Sequence, residues 1–368
     1  MKSLLAIILF PMVLFAADAP EVKLERIAIA PDGKGFIGVD SKRPFRPWGV
    51  NYGNEGRLME DFWDTEWQTI EGDFREIREM GGNVVRVHLQ FNRFMDAADK
   101  PNAKSFAQLT RMLRLAEQTG VYLDITGLAC YRPSDNVAWY DALDESARWN
   151  AQANFWRAVA ETCAASPAVF CYDLMNEPIS PGDKKDKWYS GSLLGGYDFI
   201  QMIARDPAGR KREEIAIAWI DKLTAAIRER DKEHMVTVGM LPWVTGWKHL
   251  SGFVPKDVAS HVDFLSVHIY PKSKEPTEAP KALSECVAGK PVMIEETFPL
   301  ECTVEEFESF LRSSRETASG WIFHYDGSTL NELDELERAQ KLTPVKAAWR
   351  HGIRSFVKLR PEFVLETK

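Results

Sequence analysis

Cysteine, histidine and clustered positive charge are all in short supply in this 368-residue chain. The five cysteines (Cys130, Cys163, Cys171, Cys286, Cys302) include no Cys-x-x-Cys spacing, which excludes a zinc ribbon or a redox dithiol. Five is odd, so at least one thiol stays unpaired; Cys163/Cys171 and Cys286/Cys302 stand as candidate bridges, with the pairing left open. The 7 histidines form no His-x-His or His-Glu-x-x-His ligand set, so no metal and no cofactor is expected. Lys and Arg number 46 against 54 Asp and Glu, a net charge of −8 without a basic run, which argues against a nucleic-acid partner. No Gly-x-Gly-x-x-Gly turn follows the first strand, and no predicted strand ends in lysine, which leaves dinucleotide and Schiff-base chemistry unsupported. Long apolar runs are absent too, apart from Leu4–Phe15, which falls short of the roughly 20 residues that span a bilayer. With Lys2 before it and Ala17-Asp-Ala19 after it, this run reads as a secretory signal. Residues 1–19 are therefore expected to be a signal peptide and 20–368 a single exported domain, secreted or periplasmic, with no membrane partner after cleavage.

What is present is an ordinary globular composition, 45% hydrophobic and 27% charged, with an excess of aromatics: 12 Trp, 9 Tyr and 20 Phe. An Asp32-Gly33 turn between Leu24–Ala30 and Phe36–Asp40 signals an N-terminal β-hairpin. Strand and helix patterns then alternate. Strands are expected at Arg46–Tyr52, Asn83–Gln90, Val121–Thr126, Val169–Asn176, Met235–Leu241, Val262–Tyr270, Pro291–Thr297 and Gly320–Tyr325. Helices are expected at Thr65–Met80, Ser105–Gln118, Glu145–Ala164, Glu213–Asp231, Pro280–Val287, Thr303–Thr317 and Pro344–Leu359. In Glu213–Asp231 the apolar stripe is Ile215, Ile217, Ala218, Leu223, Ala226 and Ile227. Thr303-Val-Glu-Glu306 reads as a capping box, and Pro344 suits a first helical turn. Eight apolar strands alternating with helices predict an α/β fold, a (β/α)8 TIM barrel with an N-terminal hairpin; an open doubly wound sheet is the alternative. The segment 179–212 is the one long, polar, Gly-rich connection.

In a barrel of this kind the polar residues at strand C-termini are the ones to weigh. They are Asn51 and Tyr52; Arg86 and His88; Thr126; Asn176 and Glu177; Trp243; His268 and Tyr270; Glu295 and Glu296; His324 and Asp326. Acidic residues on two strands, among Arg, His and Tyr, suggest acid/base or covalent carboxylate chemistry. Met175-Asn-Glu-Pro178 is the strongest signal: an apolar strand ends in a carboxylate, and Pro178 biases Glu177 towards an extended backbone. His268 and Tyr270, two apart on a strand, share a face, as do Arg86 and His88.

With these residues in place, the chain resembles the family 5 glycoside hydrolases, the cellulase and mannanase type of the clan A barrels. Phe45-Arg-Pro-Trp-Gly-Val-Asn51 is similar to that family's first strand and Gly82-Asn-Val-Val-Arg86 to its second. Tyr172-Asp-Leu-Met-Asn-Glu-Pro178 resembles the fourth strand, Ser266-Val-His-Ile-Tyr-Pro271 the sixth and Lys290-Pro-Val-Met-Ile-Glu-Glu-Thr297 the seventh. The resemblance implies Glu177 as acid/base and Asn176 beside it at a substrate hydroxyl, a nucleophile on the seventh strand, and Arg86 steadying that nucleophile. Adjacent strand residues face opposite ways, so only one of Glu295 and Glu296 should enter the mouth, and the resemblance implies Glu296, because the family's geometry favours the later position. Tyr and Arg donors keep one carboxylate ionised, while the other must carry a proton when it acts. Substrate contacts are expected from Asn51, Tyr52, Arg86, His88, Asn176, Trp243, His268, Tyr270 and His324.

The pattern departs from the family at two places. Leu123-Asp-Ile-Thr126 lacks the histidine that usually ends the third strand, and His88 is the candidate substitute, a structural role being the alternative. His324 stands where a sugar-stacking tryptophan is usual on the eighth strand, and Trp321 reads as core. Aromatics near the predicted mouth are Trp48, Tyr52, Tyr131, Trp139, Tyr140, Trp188, Trp243 and Trp247, some of which should pack on sugar C–H faces. Trp156, Trp219 and Trp349 lie in predicted helices and read as packing. The expected function is a retaining β-glycosidase acting on a β-1,4-glucan or β-mannan type polysaccharide or oligosaccharide; the alternative is a carbohydrate-binding barrel with weak or no catalysis.

Overall fold

The computed structural model describes residues 23–194, 196–242 and 251–364. Residues 1–19, expected to be a signal, and Trp243 and Trp247 lie outside the described residues. Eight strands close into a barrel: β1 (Trp48–Gly53), β2 (Val84–Gln90), β3 (Tyr122–Ala129), β4 (Val169–Asn176), β5 (Met235–Met240), β6 (Leu265–His268), β7 (Val292–Glu296) and β8 (Ala318–Asp326). All neighbouring pairs are parallel, and β8 closes on β1 from Trp321↔Trp48 to Asp326↔Gly53. Helices follow each strand in turn: α1 (Trp67–Glu79), α2 (Ala103–Thr119), α3 (Glu145–Cys163), α4 (Arg212–Arg228), α5 (Pro255–Val258), α6 (Glu278–Glu285), α7 (Val304–Ser314) and α8 (Pro344–Phe363). This is the expected (β/α)8 barrel. Every residue of β3 and β4 is buried, which is why these strands read as apolar runs: the helices cover one face and the barrel interior the other.

Local signals explain the ends. Thr303 Oγ1 caps α7 by accepting from the Glu306 N–H, and the Glu306 carboxylate accepts from the Thr303 N–H, completing the capping box. Thr343 caps α8, with Pro344 in its first turn. The hairpin pairs Ile27–Ile29 with Phe36–Gly38 and continues to a third short strand, Pro44–Phe45. Its aromatic residues seal the N-terminal end of the barrel. Phe36 sits 5.1 Å from both Phe170 and Phe264, and Phe45 sits 5.0 Å from Tyr122.

Several expectations change. The segment after β4 is folded rather than a plain loop: Pro178–Ile179 lies parallel to Tyr197–Met202, which pairs antiparallel with Tyr189–Leu194. Aromatic and β-prone runs flanking a turn at Gly196 (φ 83°) make this a hairpin. In α4 the buried stripe is Ile215, Ala216, Trp219, Ile220, Leu223, Ala226 and Ile227; Ala218 is exposed and Ile217 only half-buried, because the large Trp219 sets which face turns inward. All five cysteines are free, so neither candidate bridge forms. Among the described residues no helix is long and apolar enough to cross a membrane.

The aromatic excess belongs mostly to the core. Of the ten described tryptophans, Trp48, Trp63, Trp67, Trp149, Trp156, Trp188, Trp219 and Trp321 are buried. Trp48 was expected near the mouth. It instead points outward from β1 into the helix layer, stacked on Phe356 at 5.3 Å and flanked by Phe323, Phe363 and Trp321. Trp188 is likewise enclosed, with Arg148 and Arg205 over its ring. Replacing Trp48 with Ala should therefore act on stability, lowering the unfolding free energy by about 3–5 kcal/mol in denaturant titrations. A large loss of saccharide affinity with unchanged stability would return Trp48 to the mouth.

Candidate active site

The polar residues at the C-terminal end of the barrel meet around one guanidinium. Arg86 on β2 is fully buried. Its Nη1 donates to Asn51 Oδ1 (2.7 Å) and Glu296 Oε1 (2.6 Å); its Nη2 donates to Asp173 Oδ2 (2.8 Å) and Asn176 Oδ1 (3.1 Å). Register places these side chains in one layer, with Asn51 opposite Arg86 and Arg86 opposite Asp124. Asn51 Nδ2 donates to the carbonyls of Glu295 and Phe323, which fixes its amide with Oδ1 towards Arg86. Asp173 also accepts from Thr126 Oγ1 (2.8 Å) and the Gly239 N–H (2.7 Å).

Two carboxylates reach the cleft. Glu296, at the end of β7, accepts from Arg86 through Oε1 and from the Tyr270 hydroxyl through Oε2 (2.5 Å). Glu177 accepts from His268 Nδ1 at 2.9 Å. Their side chains are 12% and 13% exposed, whereas Glu295 is sealed beneath them at 0%. An oxygen of Glu177 and one of Glu296 lie within 4.8 Å of each other. The expectation that Glu295 and Glu296 face opposite sides does not hold. Both meet Arg86, Glu295 Oε2 at 3.7 Å from Nη2, because the β6–β7 pairing slips by one residue at His268.

Glu177 is not extended, as Pro178 had suggested, but left-handed (φ 46°). Its N–H is held by the Gly239 carbonyl (2.9 Å) and Pro178 begins the side sheet, so the chain must turn at Glu177 itself. A non-glycine residue in this region costs about 1–3 kcal/mol, and such strain collects where side chains must be aimed.

Charge sets the protonation states. Burial pushes Glu296 up, but the charges of His268 and Arg86 outweigh it and hold this carboxyl well below the usual range. Burial lowers His268, yet the Glu296 charge and the hydrogen bonds to Glu177 and Glu295 raise it to about 10. His324 is driven down to about 4 by burial and is neutral; its Nε2 lies 3.2 Å from the Tyr270 hydroxyl, whose proton is directed to Glu296. His88, held low by burial and by Arg86, is neutral as well. Its Nε2 faces Asn51 Oδ1 (3.2 Å), an acceptor, so Nε2 carries the hydrogen and Nδ1 accepts from Tyr131 (2.6 Å). Glu177, His268 and Glu296 offer three donor atoms within 4.8 Å, a spacing that could hold a cation, but a protonated His268 has no lone pair to give one.

Of the expected residues, Glu177, Glu296, Asn51, Arg86, His88, Asn176, His268, Tyr270 and His324 come together. Tyr52 does not. It points into the helix layer and donates to Asp73 on α1 (2.7 Å), as strand alternation from Asn51 requires. Trp243 lies outside the described residues. Asp124 and Asp173 carried no expected role, although a charged residue within an otherwise apolar strand is itself a sign of buried pairing. Trp349 was assigned to packing. It stacks on Phe298 at 5.1 Å and meets His324 at 5.1 Å, half-buried beside the cleft.

A family model described as cellulase (glycosyl hydrolase family 5) matches residues 47–306. Comparison with curated protein sequences yields no match. Among solved structures, an exo-β-1,4-mannosidase from Opitutaceae bacterium strain TAV5 aligns with a TM-score of 0.64 and 18% identity, over 91% of this chain. This chain spans 62% of that protein's length. A β-1,4-mannanase from the sea hare Aplysia kurodai aligns with a TM-score of 0.63 and 13% identity, over 93% of this chain and 99% of that one. A β-mannanase from the blue mussel Mytilus edulis gives 0.61 and 16%, over 92% and 96%. At these identities the likeness carries the fold alone.

Removal of the central charge is the sharpest test of the cluster. A carboxyl held low in the folded state adds stability above its unfolded value near 4.5 that is lost as pH falls. Arg86→Met would leave Asp173, Glu295 and Glu296 buried with His268 as the one remaining cation, so these groups would bind protons more readily folded than unfolded and stability would fall as pH rises. Thermal melts should show wild type more stable at about pH 7 than at about pH 4, and the variant the reverse, with a loss of about 3–5 kcal/mol at neutral pH. Parallel pH profiles would remove Arg86 as the organising charge.

Proposed function

The chain belongs to glycosyl hydrolase family 5 and is a glycosidase, and on that premise we propose a retaining β-glycosidase acting on β-1,4-linked mannan or a related β-glucan by double displacement. The observation that carries the proposal is the approach of the Glu177 and Glu296 carboxylates to within 4.8 Å, close to the roughly 5–5.5 Å at which one carboxyl attacks and the other handles the proton. Glu296 is the nucleophile. Arg86 and Tyr270 keep it ionised and hold both its oxygens, so one lone pair can be aimed at an anomeric carbon. Glu177 protonates the departing oxygen, and the His268 imidazolium stabilises the carboxylate so formed. In the second half, Glu177 takes a proton from water as that water attacks the glycosyl ester on Glu296, restoring the original configuration. Asn176, with Oδ1 held by Arg86 and Nδ2 by the Phe199 carbonyl, sits beside the pair as a substrate-hydroxyl contact.

Mannan is preferred because the structural neighbours are described as mannosidases and mannanases. The apolar run within residues 1–19 supports export, with residues 20–368 acting as one catalytic domain. The non-catalytic reading rests on His324 in place of a stacking tryptophan, but a pure binder has no need of two opposed carboxylates.

Incubation with a 2-fluoro-β-mannoside, followed by peptide mass spectrometry, should give a covalent adduct on Glu296. An adduct on Glu295 would move the nucleophile; no adduct with any of several sugar configurations, together with intact polysaccharide binding, would favour the binding barrel. Glu177→Ala should lose about 10²–10⁴-fold on natural glycan but far less on an activated aryl glycoside, whose leaving group needs no acid. Equal losses on both substrates would remove Glu177 from that role.

A further inference from the structure

Beneath the cleft pair lies a second pair of carboxyls that the reaction above does not use. Asp124 on β3 and Glu295 on β7 are fully buried and close enough to shift each other's proton affinity. Asp124 Oδ2 and Glu295 Oε1 are buried and receive no hydrogen bond from any donor among the described residues. The remaining oxygens face outward from the pair: Asp124 Oδ1 accepts from Cys171 Sγ (3.2 Å), and Glu295 Oε2 accepts from His268 Nε2 (3.4 Å). Ionised carboxylates only accept and repel each other, so a buried pair this close holds one proton between them.

We propose that Glu295 is a positioning residue for the reaction, anchoring His268 as a doubly protonated imidazolium whose Nδ1–H is aimed at Glu177, while Asp124 carries the shared proton. The inference rests on Glu177 being the acid/base. Burial and the Glu295 charge push Asp124 well above the ordinary carboxyl range, whereas Arg86 and His268 overcome burial to hold Glu295 below it; the proton therefore sits on Asp124 and the charge on the side facing His268.

The surrounding strands are built for this contact. The ionisable groups around it are Arg86 and His88 from β2, Asp124 from β3, Cys171, Asp173 and Glu177 from β4 and its end, Glu296 from β7 and His324 from β8. β1 contributes the uncharged Asn51, whose amide holds the Glu295 carbonyl. β5 contributes no side chain at this level. A Cβ on Gly239 would fall 2.9 Å from both Glu295 Oε2 and His268 Nε2 and 3.1 Å from Arg86 Nη2, so only glycine lets the three groups meet. The consequence is chemical. With Nε2–H committed to Glu295, His268 stays charged and Glu177 alone exchanges the proton during turnover.

Two isosteric variants separate this role from packing. Glu295→Gln removes the carboxylate at His268; Asp124, freed from sharing, ionises in its place, so the charge moves one side chain away. Asp124→Asn leaves the charge on Glu295. The pH at which His268 loses its second proton, followed by imidazole ¹⁵N shifts, should move down by one unit or more in Glu295→Gln and stay put in Asp124→Asn. Equal shifts, or no shift in either variant, would overturn the proposal. The same spectra of the wild-type enzyme provide a readout that needs no variant: His268 should be protonated on both nitrogens at pH 8, and a singly protonated ring would overturn the anchoring. If Glu177→Ala instead lost activity equally on natural and activated substrates while His268 remained doubly protonated, the acid/base assignment would fail and the Glu295–His268 anchor would stand.

Discussion

A guanidinium taken wholly out of water is tolerable only where carboxylates and amide oxygens occupy its donors, and Arg86 meets that requirement from three other strands at once. Asn51, Asp173, Asn176 and Glu296 accept from it, and Glu295 lies within ion-pair reach. Each of these is held by something else in turn: Asn51 by two carbonyls, Asp173 by Thr126 and the Gly239 N–H, Asn176 by the Phe199 carbonyl. The strand ends are thus tied to one another through a single cation rather than through local loops. Asp124, Asp173, Glu295 and Glu296 face two cations, Arg86 and His268, and the proton on Asp124 narrows that imbalance to three charges against two. A buried set of this kind is weak as a source of stability, because desolvation offsets attraction; what it fixes is position. The Glu296 oxygens have little freedom with Arg86 on one side and Tyr270 on the other.

The barrel was legible because its strands and helices carry different periods and because polar residues recur at strand ends. The central residues were legible for the same reason, and the spacing of Arg86 with His88 and of His268 with Tyr270 correctly placed each pair on a shared face. Alternation also held information left unused. Asn51 faces inward, so Trp48 and Tyr52, at odd offsets from it, must face the helices, and the structure puts them there. The same rule misled at Glu295 and Glu296, since a one-residue slip in pairing turns both inward, and no single strand's sequence announces a slip that depends on its neighbour. Tryptophan count was the poorest guide. An indole fills a core gap as readily as it stacks on a sugar, and eight of the described ones are buried.

The side sheet after β4 shows how an apparently loose insertion contributes to the site. Phe199 packs on Tyr131 at 5.0 Å and accepts from Asn176, while Gln201 donates to the Leu128 carbonyl. Tyr131 in turn donates to His88 Nδ1, and His88 Nε2–H donates to Asn51. His88 on β2 has contacts that end on asparagine and tyrosine rather than on a carboxylate. That arrangement orients Asn51 without adding a charge near Glu296.

The eighth strand presents an exchange of side chains. His324 is neutral, half turned to the cleft, with Nε2 at the Tyr270 hydroxyl and its ring against Phe298 and Trp349. A tryptophan at this place would offer a broad apolar face; an imidazole offers a narrower one and a hydrogen-bonding edge. The indole surface has moved to α8, where Trp349 lies flat against Phe298 at an interplanar angle of 15°. Because His324 donates to Tyr270, and Tyr270 spends its only proton on Glu296, the residue that replaces the expected platform is wired to the hydrogen bond that holds Glu296. Any hydroxyl that draws on His324 would therefore also change how tightly Tyr270 holds Glu296, a coupling that the imidazole edge permits and the apolar face of a tryptophan would not.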